Sequence, residues 1–97
     1  MAEIATVTID KNICSISGAL TYQTVTRVLA KLQNADVGES NLILDLEEIT
    51  HCDSAALALL LELRIQSGKR HCELNIHNAP AQLQALAAAH ELSTLLI

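Results

Sequence analysis

The sequence has no phenylalanine, no tryptophan and a single tyrosine, Tyr22. Any core in these 97 residues must therefore be aliphatic, filled by Leu, Ile, Val and Ala. Three glycines and one proline cannot build a glycine-rich phosphate cradle of the usual kind, and the G-x-S-x-G nucleophile elbow is absent. Cationic residues are also scarce. Six Lys and Arg stand against eleven Asp and Glu, for a net charge of −5. Nucleic-acid binding needs a basic face, and acidic lipid head groups would be repelled for the same reason. The longest apolar run, residues 55–61, is far short of the about 20 residues that span a bilayer, so no direct membrane insertion is expected. Met1-Ala2-Glu3-Ile4-Ala5-Thr6 carries no basic region leading into an apolar stretch, so no secretory leader is expected. The three cysteines, Cys14, Cys52 and Cys72, are odd in number and lack framework spacing. That fits free thiols in a reducing cytoplasm.

The length suits one domain spanning residues 1–97, which buries about 60–65% of its unfolded surface. Residues 4–9 are rich in β-branched side chains and read as a strand. Asp10-Lys11-Asn12 is turn chemistry, and residues 13–17 read as a second strand, which gives an antiparallel hairpin ended by Gly18. Thr21 is placed to cap a helix whose apolar stripe is Val25, Val28, Leu29 and Leu32, with Arg27 and Lys31 opposite. Residues 34–41, with Gly38 among them, read as a polar loop. Leu42-Ile43-Leu44-Asp45-Leu46 is almost continuously apolar, as in a central strand buried on both faces. Residues 47–52 read as a connector. A second helix is expected over residues 54–67, capped by Asp53 or Ser54, with Gly68 just past its end.

Residues 71–76 alternate, Cys72, Leu74 and Ile76 against Glu73 and Asn75, and read as a strand. Asn78-Ala79-Pro80 starts a last helix, with Leu83, Leu86 and Ala87 facing inward. The tail, residues 94–97, reads equally as an edge strand or as packed coil. The order β-β-α-β-α-β-α implies an α/β domain, a mixed sheet of about four strands covered by helices, with right-handed parallel crossovers.

Chemistry has little to stand on. His51-Cys52 and His71-Cys72 are the nearest thing to a zinc set, but neighbours along a strand point to opposite faces, and the ligand spacing of known zinc sites is missing. They read as small buried thiols beside surface histidines. No metal, cofactor or catalytic residue is assigned. The informative segment is Asp53-Ser54-Ala55-Ala56-Leu57-Ala58-Leu59-Leu60-Leu61, an Asp-Ser pair opening a helix that is apolar nearly all round. Asp near a helix N-terminus satisfies amides and complements the dipole, which leaves the apolar circumference unexplained. Asp53, Ser54, Ala55, Ala56 and Leu59 are therefore the candidate partner-binding residues, with Ala55, Leu59, Glu62 and Gln66 read as the exposed stripe, and the Ser54 oxygen expected to engage backbone amides.

At this segment the chain resembles the STAS family of sulphate-transporter and anti-sigma-factor-antagonist domains. The resemblance runs from Ser17-Gly18-Ala19-Leu20, through the strand 42–46, to Asp53-Ser54. In anti-sigma-factor antagonists of this family the hydroxyl two places after the Asp is phosphorylated. That place is Ala55 here, with Ala56 at the following glycine place, so the resemblance implies no such switch. Ser54, Ala55-Ala56 and the run Leu57-Ala58-Leu59-Leu60-Leu61 are more similar to the MlaB branch, the STAS subunits of Mla phospholipid-transport ABC complexes. The departure from that branch is Ala56 where glycine is usual. The resemblance implies a non-catalytic cytoplasmic subunit, peripheral to the inner membrane through its partner. That partner is the ATPase of an ABC transporter maintaining outer-membrane lipid asymmetry. The alternative is an anti-sigma-factor antagonist or another regulatory STAS protein.

Overall fold

A computed structural model describes residues 4–34 and 41–96. Most of the expected polar loop, Gly38 included, and Ile97 at the end of the tail lie outside the described residues. The strands are β1 (Ala5–Asp10), β2 (Ile13–Leu20), β3 (Asn41–Asp45), β4 (Ile49–Cys52) and β5 (Glu73–His77), and the helices are α1 (Val25–Gln33), α2 (Ser54–Lys69) and α3 (Ala81–Ala89). A 3-10 turn, Ser93–Leu96, follows, so the tail is neither a strand nor irregular coil.

The five strands form one mixed sheet. β1 and β2 pair antiparallel as the expected hairpin. β3 runs parallel between β2 and β5, so residues 42–46 are interior. β4 also pairs parallel with β2, beyond the end of β3. The expected connector thus holds a strand of its own, in line with β3 and separated from it by a turn. The sheet has five strands rather than about four.

Alternation along each strand sends Cys14, Ile16, Leu42, Leu44 and Leu74 to one face, where they join Val28 and Leu32 of α1, Leu57, Leu60 and Leu63 of α2, and Leu83 and Ala87 of α3 in a single core. Burial of each Leu there contributes about 1.5–3 kcal/mol. The opposite face carries Ser15, Ile43, Asp45 and Asn75, all half-exposed, beside exposed Thr6 and Thr8. β3 is therefore dry on one face, not on both. Ile43 had made the run look fully buried, but the strand obeys the one-sided pattern of a sheet with a wet face.

Two termini differ from expectation. Thr21 does not cap α1. Its hydroxyl accepts from the Gln23 amide at 3.3 Å, and its carbonyl accepts from Thr24 and Val25, closing a tight turn before the helix. Gly68 lies inside α2, which runs on to Lys69. Arg64, on the side of that helix, holds the C-terminal turn in place. Its Nε and Nη2 donate to the Leu95 carbonyl at 3.1 and 2.8 Å, and its Nη1 donates to the Leu74 carbonyl at 2.9 Å.

Gly18 is where the sheet changes register. β4 shifts against β2 between Gly18 and Ala19, with Ile49 opposite Gly18 and His51 opposite Ala19, a bulge that inserts Thr50. Gly18 has φ +90, and a Cβ there would collide with the carbonyl oxygen of Ile4. Gly18→Ala should therefore cost at least about 2 kcal/mol, combining the left-handed backbone with the collision. Urea unfolding measures it, and an unchanged midpoint would show that residue 18 does not need its glycine conformation.

Candidate functional site

β2 and β4 run parallel and finish together, which brings the turn after β2 against the start of α2. The Asp53 amide donates to the Leu20 carbonyl at 3.3 Å. Asp53 is the cap of α2. Its Oδ1 accepts from the Ala55 amide at 2.9 Å, one of the four amides a helix start leaves without an internal partner. Its Oδ2 accepts from the Tyr22 amide at 3.2 Å, reaching across 31 positions of sequence. One carboxylate thus fastens two elements to each other.

The Tyr22 turn is also braced from beneath. The buried Thr24 hydroxyl donates to the Ala19 carbonyl at 2.7 Å and accepts from the Thr21 amide at 3.0 Å. Tyr22 itself is 72% exposed. The Gln23 side-chain amide approaches its hydroxyl at 3.5 Å, the outer limit for a hydrogen bond. Ser54 is the exposed first residue of α2. The capping oxygen belongs to Asp53, which resolves the choice of cap and corrects the expectation that Ser54 engages the amides.

The five candidate partner-binding residues separate. Ser54 is exposed, and Ala55 and Asp53 are half-buried. Ala56 and Leu59 are core residues, Leu59 only 2% exposed, so neither is available to another protein. The outward stripe of α2 is Ser54, Ala58, Leu61 and Ile65, with Leu61 and Ile65 each 46% exposed. Glu62 and Gln66 bond to each other and lie half-buried, so the polar residues marked the wrong stripe as the outer one. Beside this stripe a shallow groove of about 240 Å³ is lined by Ser54, Leu57, Ala58, Leu61, His90 and Leu92. Its lining is mostly aliphatic and it opens widely to solvent, which suits a protein surface better than a small ligand.

His51 points outward from β4 while Cys52 is buried, and His71 lies exposed in the turn before β5. Among the described residues no group of three or more His, Cys, Asp or Glu side chains converges as a metal set. All three cysteines are free, Cys14 and Cys52 buried, but Cys72 is only half-buried, against the expectation of a buried thiol there. Burial pushes the Cys14 thiol pKa up, and burial together with the neighbouring Asp53 carboxylate does the same for Cys52. Both thiols are thereby made poorer nucleophiles, since the thiolate is the reactive form. In the native protein at neutral pH, Cys72 should react first with a thiol reagent, and Cys14 and Cys52 only after denaturant is added. Rapid native modification of all three would contradict this burial.

Comparison with known proteins fits the architecture. The structure is similar to that of the anti-sigma-factor antagonist SpoIIAA in its unphosphorylated form, with a TM-score of 0.73 and 15% identity over 97% of this chain and 86% of that one. It is also similar to an antisigma-factor antagonist STAS domain from Rhodobacter sphaeroides, with a TM-score of 0.60 and 15% identity over 99% of this chain and 97% of that one. At these identities the likeness is one of fold. No curated protein sequence matches the chain. The family model described as "Mlab, STAS domain" matches residues 7–97, which takes in every described helix and all of the sheet but the first residues of β1. The chain belongs to that STAS family.

Proposed function

We propose that this STAS domain is a non-catalytic subunit that docks on the ATPase of an ABC-type transporter of phospholipids, on the cytoplasmic side of the inner membrane, in a complex that maintains outer-membrane lipid asymmetry. The observation that carries the reading is the outward stripe of α2. Beside Ser54, the side chains of Ala58, Leu61 and Ile65 leave aliphatic surface in solvent at a helix that already supplies much of the core. A contiguous exposed apolar patch is a feature of protein-interaction sites, and small side chains at 54 and 58 permit close approach. The family description supports the choice of transporter. Among the described residues no helix is long and apolar enough to cross a membrane, so the reading assigns membrane association to the partner.

A second reading, an anti-sigma-factor antagonist, is favoured by the likeness of fold to SpoIIAA. Against it stands Ala55, which offers no hydroxyl where the resemblance places the phosphoacceptor. A phosphate adds nearly two negative charges and so acts as a docking switch in such proteins. That device is not available at this position.

Ser54→Arg tests the surface. The cap is retained, since Asp53 provides it, and a change at an exposed first-turn residue should shift stability by no more than about 0.5 kcal/mol. A bulky cation at the centre of the contact should cost at least about 2 kcal/mol of binding, some thirtyfold in affinity. The expected result is an unaltered thermal melt and loss of the co-purifying ATPase, identified by mass spectrometry. A folded variant that retains the ATPase would refute the site. A wild-type chain that brings down a sigma-factor regulator would overturn the transporter reading.

A further inference from the structure

We propose that β5 is a self-association edge. Two copies of this chain pair their β5 strands antiparallel about Asn75, which joins the two sheets into one and sets Glu73 of each copy against His77 of the other. The pairing rests on the sheet edge alone and shares no residue with the groove beside α2.

β5 closes one side of the sheet, with β3 as its neighbour. Backbone groups point to alternate sides along a strand. The Leu46 amide donates to the His77 carbonyl at 3.0 Å. Glu73, Asn75 and His77 therefore turn their N–H and C=O groups toward β3, and Leu74 and Ile76 turn theirs outward. The bond from Arg64 to the Leu74 carbonyl agrees with this, since Arg64 reaches that oxygen from outside the sheet. Native edges are ordinarily guarded by lysine, proline or a bulge. β5 reads Glu-Leu-Asn-Ile-His, with neither lysine nor proline, and its register with β3 runs unbroken from Glu73 to His77. Open grooves of about 470 and 560 Å³ flank it, one against Arg64 and Ser67, the other against Gln84 and Ser93. Among the described residues, then, the edge can be reached from solvent.

The strand's own sequence identifies the occupant. A two-fold axis through Asn75 places Leu74 opposite Ile76 of the second copy, and Ile76 opposite its Leu74. These two residues carry the outward backbone groups, so each becomes a hydrogen-bonded pair that uses both N–H groups and both carbonyls. The Leu74 carbonyl keeps its bond from Arg64, because a carbonyl oxygen has two lone pairs. The side chains match as well. Leu74 and Ile76 pack on the dry face, where the axis sets apolar against apolar. Glu73 and His77 are both exposed on the wet face, where it sets carboxylate against imidazole twice. In such a cross-strand pair the ring N–H donates to the carboxylate whether or not His77 carries a second proton. The opposite edge has no equivalent match, because β1 has Asp10 as its one charged residue. A two-fold contact of this kind closes on itself and stops at a dimer.

Pairing two short strands is a small contact, and small contacts are transient, so the measurement is made up to millimolar protein. Sedimentation equilibrium of the full chain should show a monomer–dimer equilibrium. Amide exchange followed by NMR should show Leu74 and Ile76 protected at high concentration and unprotected at low. Glu73→Arg sets cationic side chains across the axis and His77→Glu sets two carboxylates there, so each variant alone should dimerise at least about tenfold more weakly. Both changes are at exposed positions, and the thermal melts should stay close to the wild type. Mixed in equal amounts, the two variants should recover wild-type association as a heterodimer. The new arginine of one chain then faces the new glutamate of the other, and the remaining Glu73 faces the remaining His77. A wild-type chain that stays monomeric at millimolar concentration overturns the proposal. So does a dimer in which Leu74 and Ile76 exchange as they do in dilute protein, or a mixture that associates no better than either variant alone. None of these outcomes bears on the ATPase reading, which the Ser54→Arg binding measurement tests separately.

Discussion

A sheet with one dry face must seat three helices in a single layer, and the rest of the molecule follows from that restriction. α2 lies against α1, α3, β5 and the C-terminal turn, so Ala56, Leu57, Leu59, Leu60 and Leu63 are all consumed by the core. A helix buried over so much of its circumference needs apolar residues nearly all round. What it does not need is Leu61 and Ile65 on the outside, where a charged pair would be expected on a helix with no other duty. Their exposure, 46% each, is what the proposed docking surface rests on.

The same restriction determines where that surface begins. β4 continues the line of β3 along β2, and the bulge at Gly18 sets its register so that Leu20 and Asp53 end up side by side. The wet face of the sheet, with its Thr and Ser residues, is left to solvent. At the strand ends, a short polar turn and the start of α2 are held together by the Asp53 carboxylate.

Much of the fold could be read from the sequence because its signals are local. β-branched alternation gave the hairpin, apolar density gave the interior strand, and Asp53 beside Ser54 gave the start of α2. Three features were hidden, each for a physical reason. β4 has four residues, two of them polar and adjacent, and its identity as a strand comes from the partner β2 rather than from its own pattern. The outward face of α2 was misassigned because its polar Glu62 and Gln66, which bond to each other and lie half-buried, pointed to the wrong stripe, so Leu59 was taken for a surface residue and Leu61 and Ile65 went unnoticed. The bond from Asp53 to Tyr22 joins two places 31 positions apart, and no spacing rule reaches that far. The lone tyrosine was counted at the outset as a scarcity of aromatic core. It lies 72% exposed, its backbone amide bonded to Asp53.

The central proposal is that a partner covers the start and outward stripe of α2. Hydrogen–deuterium exchange of the chain, free and in complex with its ATPase, addresses this without altering a residue. The account predicts new protection over residues 54–61, with the strands of the wet sheet face exchanging as they do in the free protein. Protection that appears instead along β1 and the wet face, with residues 54–61 unchanged, would contradict it.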